Sequence, residues 1–329
     1  TVNSCTSALF LALLVEGVGL GDEVIVPSLT WCATANASLY LGATPVFCDV
    51  DPESMCVTPE TVAAKLTSKT KAVIVVHYGG YAINVKALRN ALPANVVIIE
   101  DAAHALGAKY ENGKQVGTSR NTTCYSFYAN KNLSTADGGA IALFDKEKTE
   151  RFRSLRMSGM ASHAWLRYTK PSTSVAATVT ELGYKMNYTD LQASIGRVQL
   201  RRLDDMSIVR RRIAQHYKER FDEAGLDIPF QSQAFDSRHA RHLLVGCFDS
   251  LKTGISRDEL LLALRVQNIG ASIHYQPLHT QPLYYDKLAG KLPVTEWLAE
   301  QIITLPISAR MTLDDVDYVV DNLVSLIKK

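Results

Sequence analysis

The 329-residue sequence has no apolar run long enough to cross a bilayer. The longest, Ala8 to Val15, is far short of the roughly 20 residues that a membrane helix needs. No basic leader precedes it, so a secretory signal is not indicated. The six cysteines (Cys5, Cys32, Cys48, Cys56, Cys124 and Cys247) are scattered, without CxxC spacing and without a histidine pair at ligand distance. This argues against a zinc site or a disulfide framework and fits a reducing cytoplasm. Charge of one sign is not in excess either. A net charge of +2 gives no reason to expect nucleic acid or a membrane as partner. The basic run Arg210-Arg211-Arg212 lies in a helical pattern and reads as a solvated face. Repeats and low-complexity tracts are absent. What remains, 47% hydrophobic and 21% charged residues, is an ordinary globular balance for one or two domains.

The apolar residues are arranged as alternating strands and helices. Helical pattern runs from Thr6 to Val18, then strand 23–27, helix 31–41, strand 45–49 and helix 59–66, with Thr58 as cap and Pro59 in its first turn. Strand 72–77, helix 84–91, strand 96–100, a short helix near 103 and a strand over Ala140 to Phe144 continue the rhythm. Continuous apolar strands such as Ala72-Val73-Ile74-Val75-Val76 predict a mostly parallel sheet covered on both faces. Ligands in such folds sit at the carboxyl ends of the strands, where Asp101, His77 and Ser126 fall. Gly17-Val18-Gly19-Leu20-Gly21 follows a helix and precedes a strand, the reverse of a dinucleotide fingerprint, and reads as a helix stop.

Beyond these elements, Thr189 and Gln192 have capping-box spacing at the head of one long helix from Asp190 towards Phe221. Strand 242–248, a helix opened by Ser256 and Glu259, strand 269–274 and a final helix from Thr312 then make a smaller α+β unit. The expected division is a large domain over 1–200 and a small C-terminal domain over 201–329, with the boundary along helix 190–221.

Three features carry chemistry. Lys131 lies in Ser126 to Gly139, between the aromatics Tyr125, Phe127 and Tyr128 and the pair Gly138-Gly139. A lysine in an apolar, glycine-rimmed setting is a candidate amine nucleophile, because desolvation disfavours its charge. A surface lysine on a hairpin is the commoner arrangement, so this stretch alone does not decide. Ser4, Thr6 and Ser7 stand at a helix start, which suits a phosphate but also suits plain capping. Asp101 ends a strand. An amine for an aldehyde, an acid for a pyridine nitrogen and a helix start for a phosphate are together the requirements of pyridoxal phosphate chemistry.

Asn3-Ser4-Cys5-Thr6-Ser7-Ala8-Leu9, Pro27-Ser28-Leu29-Thr30-Trp31, Gly42-Ala43-Thr44-Pro45-Val46, Ile99-Glu100-Asp101-Ala102-Ala103-His104, Ser126 to Gly139 and Leu182 to Asp190 occur in this order. In this the chain resembles the DegT/DnrJ/EryC1/StrS aminotransferases, pyridoxal-phosphate sugar aminotransferases of the aspartate-aminotransferase-like fold type I. The resemblance implies that Lys131 carries the cofactor as a Schiff base and shuttles the substrate proton. It implies that Asp101 pairs with the ring nitrogen, that Trp31 stacks on the ring, and that Thr6, Ser7 and Ser126 hold the phosphate. His104 takes a position often held by glutamine and faces the ring hydroxyl or substrate. Asn187 matches an asparagine that reaches the phosphate of the neighbouring subunit, implying a homodimer with shared sites. Lys185 and His274 match positions near the sugar nucleotide. Members of the family carry a few dozen residues before the first motif, including a helix and loop that help close the site; the sequence here opens directly on that motif, either as a fragment or with that region not represented.

The function so implied is transfer of an amino group from L-glutamate, through pyridoxamine phosphate, to a keto group of a nucleotide-linked keto-sugar, with C4 as the expected position. Ala164-Trp165 with Leu182-Gly183-Tyr184-Lys185 resembles relatives acting on 4-keto-sugars. Lys131, where some relatives have histidine and dehydrate instead, favours transamination. A cyclitol or other ketone as acceptor, or a cofactor-binding protein without turnover, are the alternatives.

Overall fold

The computed structural model describes residues 1–160, 178–285 and 290–327; Ala164-Trp165 lies outside them. Its centre is a six-stranded sheet in the order β2-β1-β3-β4-β5-β6. The strands are β1 (Glu23–Pro27), β2 (Thr44–Cys48), β3 (Thr70–Val76), β4 (Val97–Asp101), β5 (Thr122–Ser126) and β6 (Gly139–Ala142). All neighbours are parallel except β5 and β6, which form an antiparallel pair. The expected mostly parallel sheet flanked by helices, fold type I, is the fold observed.

Side chains of a strand alternate between faces, and this alternation separates two cores. Ile25, Val73, Val75 and Ile98 enter one cluster; Val24, Val26, Ala72, Ile74 and Ile99 enter the other. The second cluster is filled by α1 (Cys5–Val15), which is apolar nearly all round and buried from Ser7 to Leu13. A helix with no polar stripe is stable only when covered on every side, and α2 (Ala33–Leu39) and the helix Lys146–Leu155 cover α1.

A third core lies towards the C-terminus, among the helices Leu203–Ala224, Arg257–Val266 and Leu313–Ile327 and the antiparallel pair β7 (Leu244–Cys247) and β8 (Ile302–Leu305). Strand β7 joins the two regions, because Val245 and Cys247 enter the first sheet core while Leu244 enters this one.

Several expectations are corrected in detail. The long helix is two, Asp190–Arg201 and Leu203–Ala224, divided at Arg202. No glycine or proline marks the break; the acidic pair Asp204-Asp205, favourable at a new helix start, is its only local sign. The residues near 103 form turns instead of a helix, with the Asp101 side chain accepting from the Ala103 amide. Only Ser272 of the expected strand 269–274 pairs, with Thr304, and β8 lies outside the expected strands. Arg210 is buried, donating to the carbonyls of Arg241 and Ile307, while Arg211 and Arg212 are solvated as expected.

Candidate active site

The carboxyl ends of β3, β4 and β5 and the loop after β1 converge on a cavity of about 550 Å³, a size suited to a small-molecule site. Of the residues singled out in the sequence, Thr6, Trp31, Asp101, His104, Ser126, Lys131 and His274 line it. A larger, shallower hollow of about 740 Å³ lies between the helix Leu203–Ala224 and the segment Leu226–Asp236 and contains none of them. Among the described residues no cluster of metal-ligating side chains occurs and no helix is long and apolar enough to cross a membrane.

Asp101 reaches the cavity because β4 ends there, between Val76 of β3 and Cys124 of β5. Its carboxylate accepts from the Thr34 hydroxyl at 2.9 Å and from the Ala103 amide at 3.1 Å. Burial raises its pKa, and these hydrogen bonds and the nearby Lys131 oppose the rise only in part. A buried acid with a fixed orientation is suited to a cationic or protonated partner.

Lys131 sits on the loop between β5 and β6. That loop is closed by Phe127 and Gly138 and by Thr135 and Phe127, each pair sharing a backbone hydrogen bond. The amine is half-buried, and burial lowers its pKa against the opposing attraction of Asp101 and Cys5. It faces His242 at 3.4 Å. The loop is thus the expected hairpin, but its lysine is turned inward.

Glycine is required beside it. A Cβ on Gly139 would meet the Ser4 carbonyl carbon at 2.7 Å and the Cys5 nitrogen at 2.8 Å. Val2 and Gly139 exchange backbone hydrogen bonds at 2.9 Å in both directions. The N-terminus of α1 is therefore held against the hairpin that bears Lys131. Ser4 caps this helix by accepting from the Ser7 amide at 3.1 Å. First-turn amides have no partner inside their helix, and Ser4, Cys5 and Thr6 face the cavity together with Ser126. Ser7 does not: its hydroxyl is turned away to Asn3 Oδ1 at 2.6 Å.

On the far wall, Trp31 is 61% exposed at the rim, with its ring 5.9 Å from that of Tyr275. His104 accepts from the Gly79 amide at 3.3 Å and contacts the Tyr275 hydroxyl at 3.1 Å. Burial and the Lys131 charge push its pKa well below the usual histidine range. His274 is held by Thr304 at 2.9 Å, and burial brings its pKa down to about 4.

Asn187 and Lys185 do not line the cavity, although the Asn3 amide donates to the Met186 carbonyl between them at 3.0 Å. Sequence reasoning missed Tyr275, Thr34 and above all His242. The only signal for His242 was a histidine at the head of an apolar strand, which by itself indicates nothing more than burial.

These residues fit pyridoxal phosphate. The cavity offers an inward-turned amine, a buried acid, an exposed aromatic face and a hydroxyl-rimmed helix start, one for each part of that molecule. Comparison with known proteins agrees. The profile of the DegT/DnrJ/EryC1/StrS aminotransferase family matches residues 1–324. The spore coat polysaccharide biosynthesis protein SpsC of Bacillus subtilis (strain 168) is 41% identical over 99% of this chain and 85% of its own length.

Among solved structures, Spr1654 from Streptococcus pneumoniae, named as a sugar aminotransferase and solved in PMP-form, is 30% identical. It superposes with a TM-score of 0.89 over 99% of this chain and 87% of its own. The same protein has also been solved in PLP-form. The aminotransferase TlmJ from Streptoalloteichus hindustanus is 34% identical, with a TM-score of 0.89 over 99% of this chain and 85% of its own. From motif order, fold, cavity and these matches together, the chain belongs to the DegT/DnrJ/EryC1/StrS aminotransferase family and is a pyridoxal-phosphate-dependent aminotransferase.

Proposed function

We propose that the chain moves the amino group of L-glutamate to C4 of a nucleotide-linked 4-keto-sugar. The observation that carries the reading is the meeting of Lys131, Asp101 and the α1 N-terminus in one cavity. SpsC, whose name places it in polysaccharide biosynthesis, supports a sugar as acceptor, and about 550 Å³ leaves room for one beside the cofactor.

When bound, pyridoxal phosphate supplies an aldehyde that takes up the amino group and a ring that withdraws the electron pair left on carbon. The chain supplies the rest. Lys131 Nζ is the amine that would hold the aldehyde and, once released, would carry the proton between carbon atoms. Its lowered pKa leaves more of it as the free amine, the form that acts as base and nucleophile, than in a surface lysine. Asp101 would keep a proton on the ring nitrogen. Thr6, Ser126 and the first-turn amides of α1 would hold the phosphate, with Ser7 acting through Asn3 and Ser4. Trp31 would cover one face of the ring, His104 would face its hydroxyl, and His274 would contact the sugar nucleotide in this cavity, which Lys185 does not line.

A homodimer with shared sites belongs to the same proposal. The helix Asp190–Arg201 buries none of its residues, leaving Leu191 80%, Ile195 47%, Val198 46% and Leu200 58% exposed. Such an apolar face is suited to a second subunit. Asn187 lies just before it, outside its own cavity, where it could serve a neighbour's phosphate. The division into a cofactor domain over 1–200 and a small domain over 201–329 is supported by the third core, drawn wholly from residues after 200, while Leu278, Tyr284, Leu292 and Leu298 pack into the sheet cores. The unpaired cysteines support a cytoplasmic setting.

The test is a panel of nucleotide keto-sugars and a keto-inositol, each incubated with glutamate and followed by mass spectrometry. An amino product from a 4-keto-sugar, with 2-oxoglutarate formed in step, is expected. Turnover of the inositol alone would overturn the substrate assignment. Borohydride reduction of the loaded protein should fix the cofactor to Lys131. Lys131→Ala should lose activity by roughly 10²–10⁴-fold or more while remaining folded; normal turnover by that variant would remove Lys131 from its role.

A further inference from the structure

The amine of Lys131 faces His242 Nε2, 3.4 Å away. Across the same ring, His242 Nδ1 lies 3.4 Å from Asn132 Oδ1. Asn132 donates its Nδ2 to the carbonyl of Ala240 at 2.9 Å. A carbonyl only accepts, so the amide nitrogen of Asn132 is committed to Ala240 and its oxygen to His242. That oxygen in turn only accepts. The imidazole hydrogen is therefore on Nδ1, and Nε2 directs a lone pair at the amine.

The neighbouring histidine is arranged in the opposite sense. His104 Nδ1 accepts from the Gly79 amide at 3.3 Å, which places its hydrogen on Nε2, towards the Tyr275 oxygen 3.1 Å away. The two rings are 4.4 Å apart between centroids, and both are buried. Two histidines side by side with opposite tautomers, each fixed by a neutral partner, leave one lone pair for Lys131.

We infer that Asn132 and His242 are positioning residues for Lys131: Asn132 fixes the His242 tautomer, and His242 Nε2 receives the Lys131 amine whenever that amine is not bonded to a ligand. The inference rests on the reading of Lys131 as the reactive amine. It explains how the half-buried amine can wait in the cavity with no carboxylate in contact among the described residues. Buried ammonium groups need acceptors, and a neutral imidazole provides one without trapping the amine in an ion pair.

Burial, reinforced by Lys131, Arg210, His274 and His239, pushes the His242 pKa well below the usual histidine range, so the ring stays an acceptor. The titratable groups facing the pair are Asp101 and Cys5 beside Lys131, and His104, His239, His274 and Arg210 beside His242. A neutral acceptor favours the ammonium form. Its removal should therefore lower the pKa of Lys131, which burial already holds below the ordinary lysine value.

The experiment uses residues 1–329 without cofactor. With ¹⁵N-labelled histidine, two-bond nitrogen–hydrogen couplings near neutral pH should report a neutral Nδ1–H ring for His242 and a neutral Nε2–H ring for His104. The spectra of His242→Gln and His104→Gln supply the assignments. Competitive labelling of Lys131 by an amine reagent across pH, read by mass spectrometry of its peptide, gives its titration midpoint. His242→Phe should lower that midpoint by about one to two pH units. His242→Gln, whose amide oxygen accepts, should restore most of it.

An Nε2–H or imidazolium form of His242, or an unmoved midpoint in a folded His242→Phe, would overturn the inference. Should that variant not fold by circular dichroism, the wild-type tautomer decides alone. Borohydride reduction of the wild type with pyridoxal phosphate separates the two levels. An adduct on Lys131 together with the wrong tautomer sinks the positioning role and leaves the reading of Lys131 standing, whereas no adduct on Lys131 sinks both.

Discussion

Asp101 has a buried carboxylate whose orientation is set by the Thr34 hydroxyl and the Ala103 amide. Asn at this position keeps the shape and loses the charge. Asp101→Asn is expected to bind pyridoxal phosphate, seen as retained absorbance of the bound cofactor, but to turn over about 10²–10³-fold more slowly, the usual loss for a missing electrostatic stabiliser. A near-normal rate at full occupancy would remove the proposed pairing with the ring nitrogen. Asp101 and Lys131 were legible in the sequence because strand ends and glycine-rimmed loops are local patterns. His242 was not, since the contact joins positions far apart in the chain and depends on how β7 is seated. The same holds for Ser7: its place in the first turn of α1 could be read, but the rotation of its hydroxyl onto Asn3 could not.

At the level of elements, the hairpin β5–β6 and the helix α1 are mutually dependent. Gly139→Ala would press a methyl group into the Ser4–Cys5 backbone at under 3 Å, where only backbone movement can relieve the contact. The expected cost is about 1–3 kcal/mol in denaturant unfolding, typical of overpacking. Affinity for the cofactor should weaken at the same time, measured by titration of the cofactor-free protein. Full stability with full affinity would show that the close approach is unimportant.

The order of strands and helices in the sheet domain was readable because apolar runs between polar turns leave few alternatives. The division at Arg202 was not, because apolar spacing continues across it and the two helices differ only in what they are packed against. The helix Asp190–Arg201 buries nothing within the chain, whereas the helix Leu203–Ala224 buries Ile213, Tyr217 and Phe221. Neither the helix Pro293–Gln301 nor β8 is among the elements expected from the sequence, and with no turn between them the chain carries no boundary signal there.

For the whole molecule, the exposed face of Asp190–Arg201 sets the expectation for assembly. Leu191→Glu combined with Ile195→Glu should shift the species seen by light scattering after gel filtration from dimer to monomer. Activity should fall with it, because Gln192 on this helix also donates to the Asp137 carbonyl at the cavity. A dimer that persists unchanged would place the interface elsewhere. Mixing Lys131→Ala with Asn187→Ala subunits should recover part of the activity if each site draws on both copies, and no recovery would argue for independent sites.

The bridge between Val2 and Gly139 has one more effect at this scale. It ties the first residues of the described chain to the hairpin that bears Lys131. Two anchors for the two ends of one ligand are thereby set on a single stiff unit, like jaws machined from one block. If Lys131 and the α1 N-terminus hold the two ends of one ligand, that bridge sets the span between them through backbone bonds instead of through long side chains.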